Sequence, residues 1–128
     1  MPDVIVDASA LVDLLVGNEL GQAVAARLLN VRLRAPAHID SEVLSALGRM
    51  HRGGLLTARQ VDAKLRSLAA APLVRHELTD LLAGAWARRD RVRIVDALYL
   101  ELAGRLGVPL ITTDLRLRHE PGVETVEL

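Results

Sequence analysis

Cysteine is absent from this 128-residue chain, and with it any disulfide framework, thiolate zinc site or cysteine nucleophile. Phenylalanine is absent too. Trp86 and Tyr99 are the only aromatics, which argues against the stacked-base platform of single-strand nucleic-acid binders. No apolar run approaches the roughly 20 residues of a membrane span, and no basic segment followed by a signal-type apolar run opens the chain. A soluble cytoplasmic protein with no membrane partner is therefore expected. Net charge is missing as well: 16 basic and 16 acidic residues balance, which excludes a protein that grips nucleic acid with its whole surface but leaves room for a local basic patch. Lysine is reduced to Lys64, so the positive charge is arginine. Guanidinium groups suit bidentate contacts to phosphate or carboxylate, although a G- and C-rich genome gives the same bias.

What is present is apolar sequence in short periodic blocks. Residues in the apolar class make up 51% of the chain, enough to fill one core, and one domain over residues 1–128 is expected. Val4-Ile5-Val6 reads as a buried strand that turns at Asp7-Ala8-Ser9 into a helix carrying Leu11, Val12, Leu14 and Leu15. A second helix is expected over Leu20 to Leu29, then a short strand over Val31 to Ala35 stopped by Pro36. From Ile39, the positions Val43, Leu44, Leu47 and Met50 keep helical spacing until Gly53-Gly54, and Thr57 caps a further helix with Val61, Leu65 and Leu68.

Leu73-Val74, with Leu78, reads as another strand, and Leu81, Leu82, Ala85 and Trp86 as a helix starting near Thr79 or Asp80. The run Arg88-Arg89-Asp90-Arg91-Val92-Arg93 is a charged loop. It is followed by a buried helix with Val95, Leu98, Leu102 and Leu106 as its stripe, ended by Gly107 and Pro109. Leu110-Ile111 is the next strand, Leu115 to His119 a single helical turn, and Val123 with Val126 an edge strand. Strands alternating with helices imply a mostly parallel sheet covered on both faces, a three-layer α/β/α sandwich.

Against that frame, Asp7, Glu42, Asp96 and Asp114 each sit where a strand ends or a helix begins. Any one of them is explained by helix capping, worth about 1 kcal/mol without function. Together they fit a single crevice beyond the carboxyl ends of the strands, where open α/β sheets bind ligands. Confined carboxylates repel unless a cation neutralises them, and an all-oxygen donor set suits Mg²⁺ or Mn²⁺ and phosphodiester hydrolysis. His38, His51, His76 and His119 are scattered and read as polar surface or loop residues.

The blocks Val4-Ile5-Val6-Asp7-Ala8-Ser9-Ala10-Leu11, Ser41-Glu42-Val43, Asp96-Ala97-Leu98-Tyr99 and Thr112-Thr113-Asp114, in this order and spacing, resemble a PIN-domain ribonuclease of the VapC toxin type. The resemblance implies that Asp7, Glu42, Asp96 and Asp114 bind Mg²⁺ or Mn²⁺, with Ser9, Thr112 and Thr113 as polar groups that support the acids or meet the substrate. Ser9 is equally well read as a cap of the first helix. The tyrosine-like aromatic often seen before the third acid is Val95 here, which alters the pocket lining. The resemblance further implies an endoribonuclease acting on RNA, a homodimer, and inhibition by a cognate VapB-type antitoxin that places a basic side chain in the acidic pocket.

Arg88, Arg89, Arg91 and Arg93 precede the Asp96 helix, so an RNA phosphate strand could pass between them and the metal; a solvated charged turn is the alternative. Trp86 reads as a core or interface anchor. Two other classes share the length and layering. A phosphoacceptor receiver domain would need paired acids at the first strand end and a lysine at a late one, whereas this chain has Asp7-Ala8 and only Lys64. A binding module without catalysis would use the acids only as caps.

Overall fold

The computed structural model describes residues 1–128. Strand β1 (Asp3–Val6) leads into α1 (Ala8–Val16) and α2 (Glu19–Arg27), β2 (Arg32–Pro36) into α3 (Ile39–Arg52) and α4 (Ala58–Ala70), and β3 (Leu73–His76) into α5 (Leu82–Ala87) and α6 (Ile94–Leu106). Then β4 (Leu110–Thr112) and β5 (Val123–Thr125) close the order, separated by a 3-10 turn at Leu115–Leu117. No helix is long and apolar enough to cross a membrane.

All five strands are parallel, in the order β3-β2-β1-β4-β5. The chain steps outward from β1 to β3, then returns to the other side of β1 for β4. Right-handed crossovers in opposite directions put their helices on opposite faces, which gives three α/β/α layers. Accordingly α1 packs on α2, α3 and α4, while α6 packs on β1, β2 and β4 and carries α5. The strand order reverses between β1 and β4, so the crevice for a ligand opens where those two strands end.

The helix boundaries follow local chemistry. Asp7 caps α1, Asn18 caps α2, and Thr57 with Gln60 forms a capping box on α4. Gly17 and Gly107 end α1 and α6 in the left-handed conformation that glycine adopts without strain. The core is aliphatic, centred on Ile5, Val6, Ile39, Leu47, Leu110 and Ile111, with Tyr99 the one aromatic inside it. Each such fully buried side chain contributes about 1.5–3 kcal/mol.

Two sequence expectations shift. Pro36 completes β2 instead of stopping the strand before it. The amide of Arg32 faces β1, bonded to the Pro2 carbonyl, and alternation turns the amide-less nitrogen of Pro36 the same way, so pairing with β1 ends at Arg34 while Pro36 stays in register with His76 of β3. In α6 the buried residues run from Asp96 to Leu100 with Leu102 and Ala103, whereas Val95 and Leu106, the expected ends of the stripe, are exposed. The 13 residues of α6 are about 20 Å long and overhang a β1 of 4 residues, about 13 Å.

Candidate active site

Asp7 follows β1 and holds extended backbone, so its carboxylate turns back over the start of α1. Oδ1 accepts the Ala10 amide at 3.0 Å and the Ser9 hydroxyl at 2.8 Å, and Oδ2 accepts the Thr112 hydroxyl at 2.5 Å. Only 4% of the residue is exposed. Burial pushes its carboxyl up to about 6, against the hydrogen bonds from Thr112, Ala10 and Ser9, and the Asp114 charge adds to the rise. Cap and cleft residue are here the same side chain.

Asp114 follows β4 and caps the 3-10 turn, accepting the Arg116 amide at 3.0 Å, while its own amide donates to Thr112 Oγ1 at 2.9 Å. The Arg116 guanidinium lies 2.6 Å from Asp114 Oδ2 and holds this carboxyl below the usual carboxylate range. Asp96 lies in the first turn of α6, buried, with the Arg93 Nε at 2.9 Å. Glu42 arrives from the first turn of α3; its Oε1 accepts the Tyr99 hydroxyl at 2.6 Å and lies 3.4 Å from His38 Nε2.

These acids line one cleft of about 340 Å³, together with Ser9, Asp13, Arg49, Arg93, Tyr99 and Arg116. A second groove of about 450 Å³ adjoins it, lined by Arg89, Asp90, Arg91, Arg93, Asp96 and Arg116. Arg93, Asp96 and Arg116 belong to both, so acidic cleft and arginine groove are continuous.

No three carboxylates converge into a ready-made cage. Each has a partner that holds it: hydroxyls and an amide for Asp7, Tyr99 for Glu42, Arg93 for Asp96 and Arg116 for Asp114. The donor set nevertheless fits a hard divalent cation. Every acidic donor is a carboxylate oxygen, Mg²⁺ keeps several waters and so needs few direct protein ligands, and the buried Asp7 carboxylate lacks any basic partner.

Several expectations are corrected. Thr112 is wholly buried and its hydroxyl donates to Asp7 and accepts the Asp114 amide, so it supports the carboxylate and cannot touch a substrate. The Thr113 hydroxyl donates to Asp13 at 2.8 Å and stands outside the cleft lining. Arg88 turns away from the groove to pair with Glu101 at 2.9 Å. Of the two readings of Trp86, core or interface anchor, its 61% exposure removes the core one; the Arg89 guanidinium lies over its ring, 4.8 Å from the centroid. His38 lies in the turn before α3, as a loop residue, but not on the surface: its side chain is 10% exposed and its ring lies 4.6 Å from that of Tyr99. Lys64 sits on α4, outside the cleft lining.

Sequence reasoning missed Asp13, His38, Arg49, Tyr99 and Arg116 as neighbours of the acids. Spacing carried part of the signal: Asp13 is four residues after Ser9, Tyr99 three after Asp96 and His38 four before Glu42, which helical geometry puts on shared faces.

The PIN-domain pattern matches residues 4–122. The chain is 57% identical over 115 residues to Ribonuclease VapC3 of Mycobacterium tuberculosis, a match spanning 89% of this chain and 84% of that protein. It is 34% identical over 119 residues to Ribonuclease VapC12 of the same species, spanning 93% and 92%. Among solved structures, a toxin-antitoxin complex from Klebsiella pneumoniae superposes with a TM-score of 0.72 at 20% identity, over 97% of this chain and 98% of that one. VapBC2 from Rickettsia felis, bound to a DNA fragment from its promoter, gives 0.71 at 12% identity over 98% and 99%. At these identities the two structures speak for the fold alone.

Proposed function

The chain belongs to the PIN-domain family, in its VapC ribonuclease branch, and on that premise we propose that it is a Mg²⁺- or Mn²⁺-dependent endoribonuclease, the toxin of a toxin–antitoxin pair. The observation that carries the reading is the meeting of Asp7, Glu42, Asp96 and Asp114, from separate segments, in one cleft continuous with a groove of arginines. Residues 1–128 act as one domain in this reading, in the cytoplasm, where RNA is the phosphodiester at hand.

A divalent cation held by these carboxylates would polarise a phosphoryl oxygen and lower the pKa of water enough to yield a nucleophile at neutral pH. The protein's own part is placement. Asp7 is held by Ser9, Ala10 and Thr112, so its carboxylate keeps one orientation when the substrate arrives. Arg93 and Arg116, which line both cleft and groove, are placed to take the oxygens of the scissile phosphate once Asp96 and Asp114 turn to the cation. Arg89 and Arg91 would follow the next phosphates along the groove.

The partner that silences such a site is a VapB-type antitoxin, with a basic side chain entering among the acids, and the active toxin is a homodimer. The acidic lining supplies the countercharge for that side chain.

The test is direct. The purified chain cleaves single-stranded RNA with Mg²⁺ or Mn²⁺ and stops on addition of EDTA. Asp7→Asn or Asp96→Asn with full activity would remove the site from this cleft.

A further inference from the structure

Glu42 differs from the other acids of the cleft in how it is held. Asp7 and Asp114 are fixed by the strand ends that carry them and by the turns they cap. Asp96 is held by Arg93, three residues back at the N-cap of α6. Glu42 reaches in from α3 on a longer side chain: its Oε1 accepts the Tyr99 hydroxyl from α6, at 2.6 Å across 57 residues, and lies 3.4 Å from Nε2 of His38, the residue that opens the same turn of α3.

The two groups form one unit. The His38 ring lies against the Tyr99 ring, centroids 4.6 Å apart and planes tilted by 43°. His38 Nε2 also lies 3.0 Å from the Val95 carbonyl, an acceptor only, so that contact requires the proton on Nε2. His38 Nδ1 is buried without any partner, and a proton there would be a buried donor with nothing to bond. Both facts select the same tautomer, with Nε2–H donated to the Val95 carbonyl and Glu42 Oε1 3.4 Å from the same nitrogen. Tyr99 is 1% exposed, so its hydroxyl cannot exchange Glu42 for water by swinging out.

We propose that Tyr99 and His38 are positioning residues: the Tyr99 hydroxyl clamps Oε1 of Glu42, His38 backs the Tyr99 ring and ties the start of α3 to the Val95 carbonyl of α6, and Oε2 is left as the oxygen presented to the divalent cation. The inference rests on the metal-dependent reading of the cleft and goes beyond it by assigning residues that set the geometry of one ligand. A glutamate side chain has several rotatable bonds, and ordering it before the cation arrives spares that cost at binding. The loss of such a supporting hydrogen bond typically costs 10- to 100-fold in metal affinity.

The experiment uses the full chain and Mn²⁺ alone as the probe, with binding followed by calorimetry and by the electron paramagnetic resonance of free Mn²⁺. Tyr99→Phe keeps the buried ring and removes only the hydroxyl. It weakens Mn²⁺ binding about tenfold and raises the Mn²⁺ concentration for half-maximal RNA cleavage in parallel, and saturating Mn²⁺ recovers most of the rate. His38→Gln, which keeps an N–H donor, retains more of the affinity than His38→Leu. In a Glu42→Gln background Tyr99→Phe has no further effect on Mn²⁺ binding. Wild-type Mn²⁺ affinity in Tyr99→Phe, or an equal loss from Tyr99→Phe with and without Glu42→Gln, overturns the clamp. A wild-type chain that cleaves RNA yet binds Mn²⁺ identically to the Tyr99→Phe variant separates that failure from failure of the metal reading itself, in which the wild type neither binds Mn²⁺ nor depends on it.

Discussion

Thr112 Oγ1 donates to Asp7 Oδ2 over 2.5 Å, joining the ends of strands that lie 105 residues apart in sequence. Thr112 Oγ1 also receives the Asp114 amide and lies 3.1 Å from Ser9 Oγ. One hydroxyl therefore fixes the two strand-end acids relative to each other. The network satisfies Asp7 with neutral donors only, which leaves its charge buried and unpaired until a cation supplies the balance.

That imbalance gives a stability prediction with a definite sign. The Asp7 carboxyl is raised by burial to about 6 in the folded protein, above its unfolded value, so the folded state holds the extra proton between about pH 4 and 6. The stabilising contribution of this proton is complete at or below about pH 4 and is lost as pH rises to about 6, some 3 kcal/mol in all. Asp7→Asn carries no charge, and its amide can donate to Thr112 Oγ1 while that hydroxyl turns toward Ser9. In EDTA, urea denaturation is expected to show Asp7→Asn more stable than wild type at pH 7 by about 1–3 kcal/mol, with the difference shrinking toward pH 4. The same variant loses metal-dependent cleavage.

Close approach of α1 and α2 sets a second prediction. Gly21 is buried where a β-carbon would stand 1.9 Å from the Asp13 backbone carbonyl oxygen, and Asp13 lines the cleft. Gly21→Ala forces the two helices apart, a strain of about 1–3 kcal/mol or more. Thermal unfolding followed by circular dichroism is expected to fall by about 4 °C per kcal/mol. A melting temperature equal to wild type would show that the helices separate at no cost.

The strand-end acids were legible because one local signal marks both cap and site: a β-branched run, then Asp, then helix, as at Val6-Asp7 and Thr113-Asp114. Alternation of strands and helices likewise carried the parallel sheet. What stayed hidden depends on tertiary contact. Nothing local tells Tyr99 that its hydroxyl will meet Glu42 across 57 residues, and His38 looked solvated because its partners lie on α6. For Trp86 only the core alternative failed, for the opposite reason: apolar character favours burial, yet short α5 turns this ring outward, with Arg89 over it, and the interface alternative stands.

The arginine groove makes a salt prediction. Arg91 is 58% exposed at its side chain and pairs with Glu120 at 2.9 Å, while Arg89 has only the Trp86 ring and the Trp86 carbonyl as partners. If each holds one phosphate of single-stranded RNA, Arg89→Ala and Arg91→Ala each reduce the slope of log affinity against log salt by about 0.7. Binding can be measured with Asp7→Asn protein to prevent cleavage. Arg88→Ala, whose wild-type side chain pairs with Glu101 away from the groove, should leave that slope unchanged.

Arg116 pulls in two directions, and a single substitution separates them. Its guanidinium lies 2.6 Å from Asp114 Oδ2, so a cation binding Asp114 must compete with it. The side chain of Arg116 is 65% exposed, which limits the pair to the range of surface ion pairs, about 0.2–1 kcal/mol. Arg116→Gln is therefore expected to tighten Mn²⁺ binding, by at most about fivefold, because Asp114 is released. The same variant loses a cation that faces both cleft and groove, so its KM for RNA rises even though its metal site is better filled. Calorimetry with Mn²⁺ and steady-state cleavage at saturating Mn²⁺ measure the two effects separately. Weaker metal binding in Arg116→Gln would mean that the guanidinium holds Asp114 in the geometry the cation needs instead of competing for it.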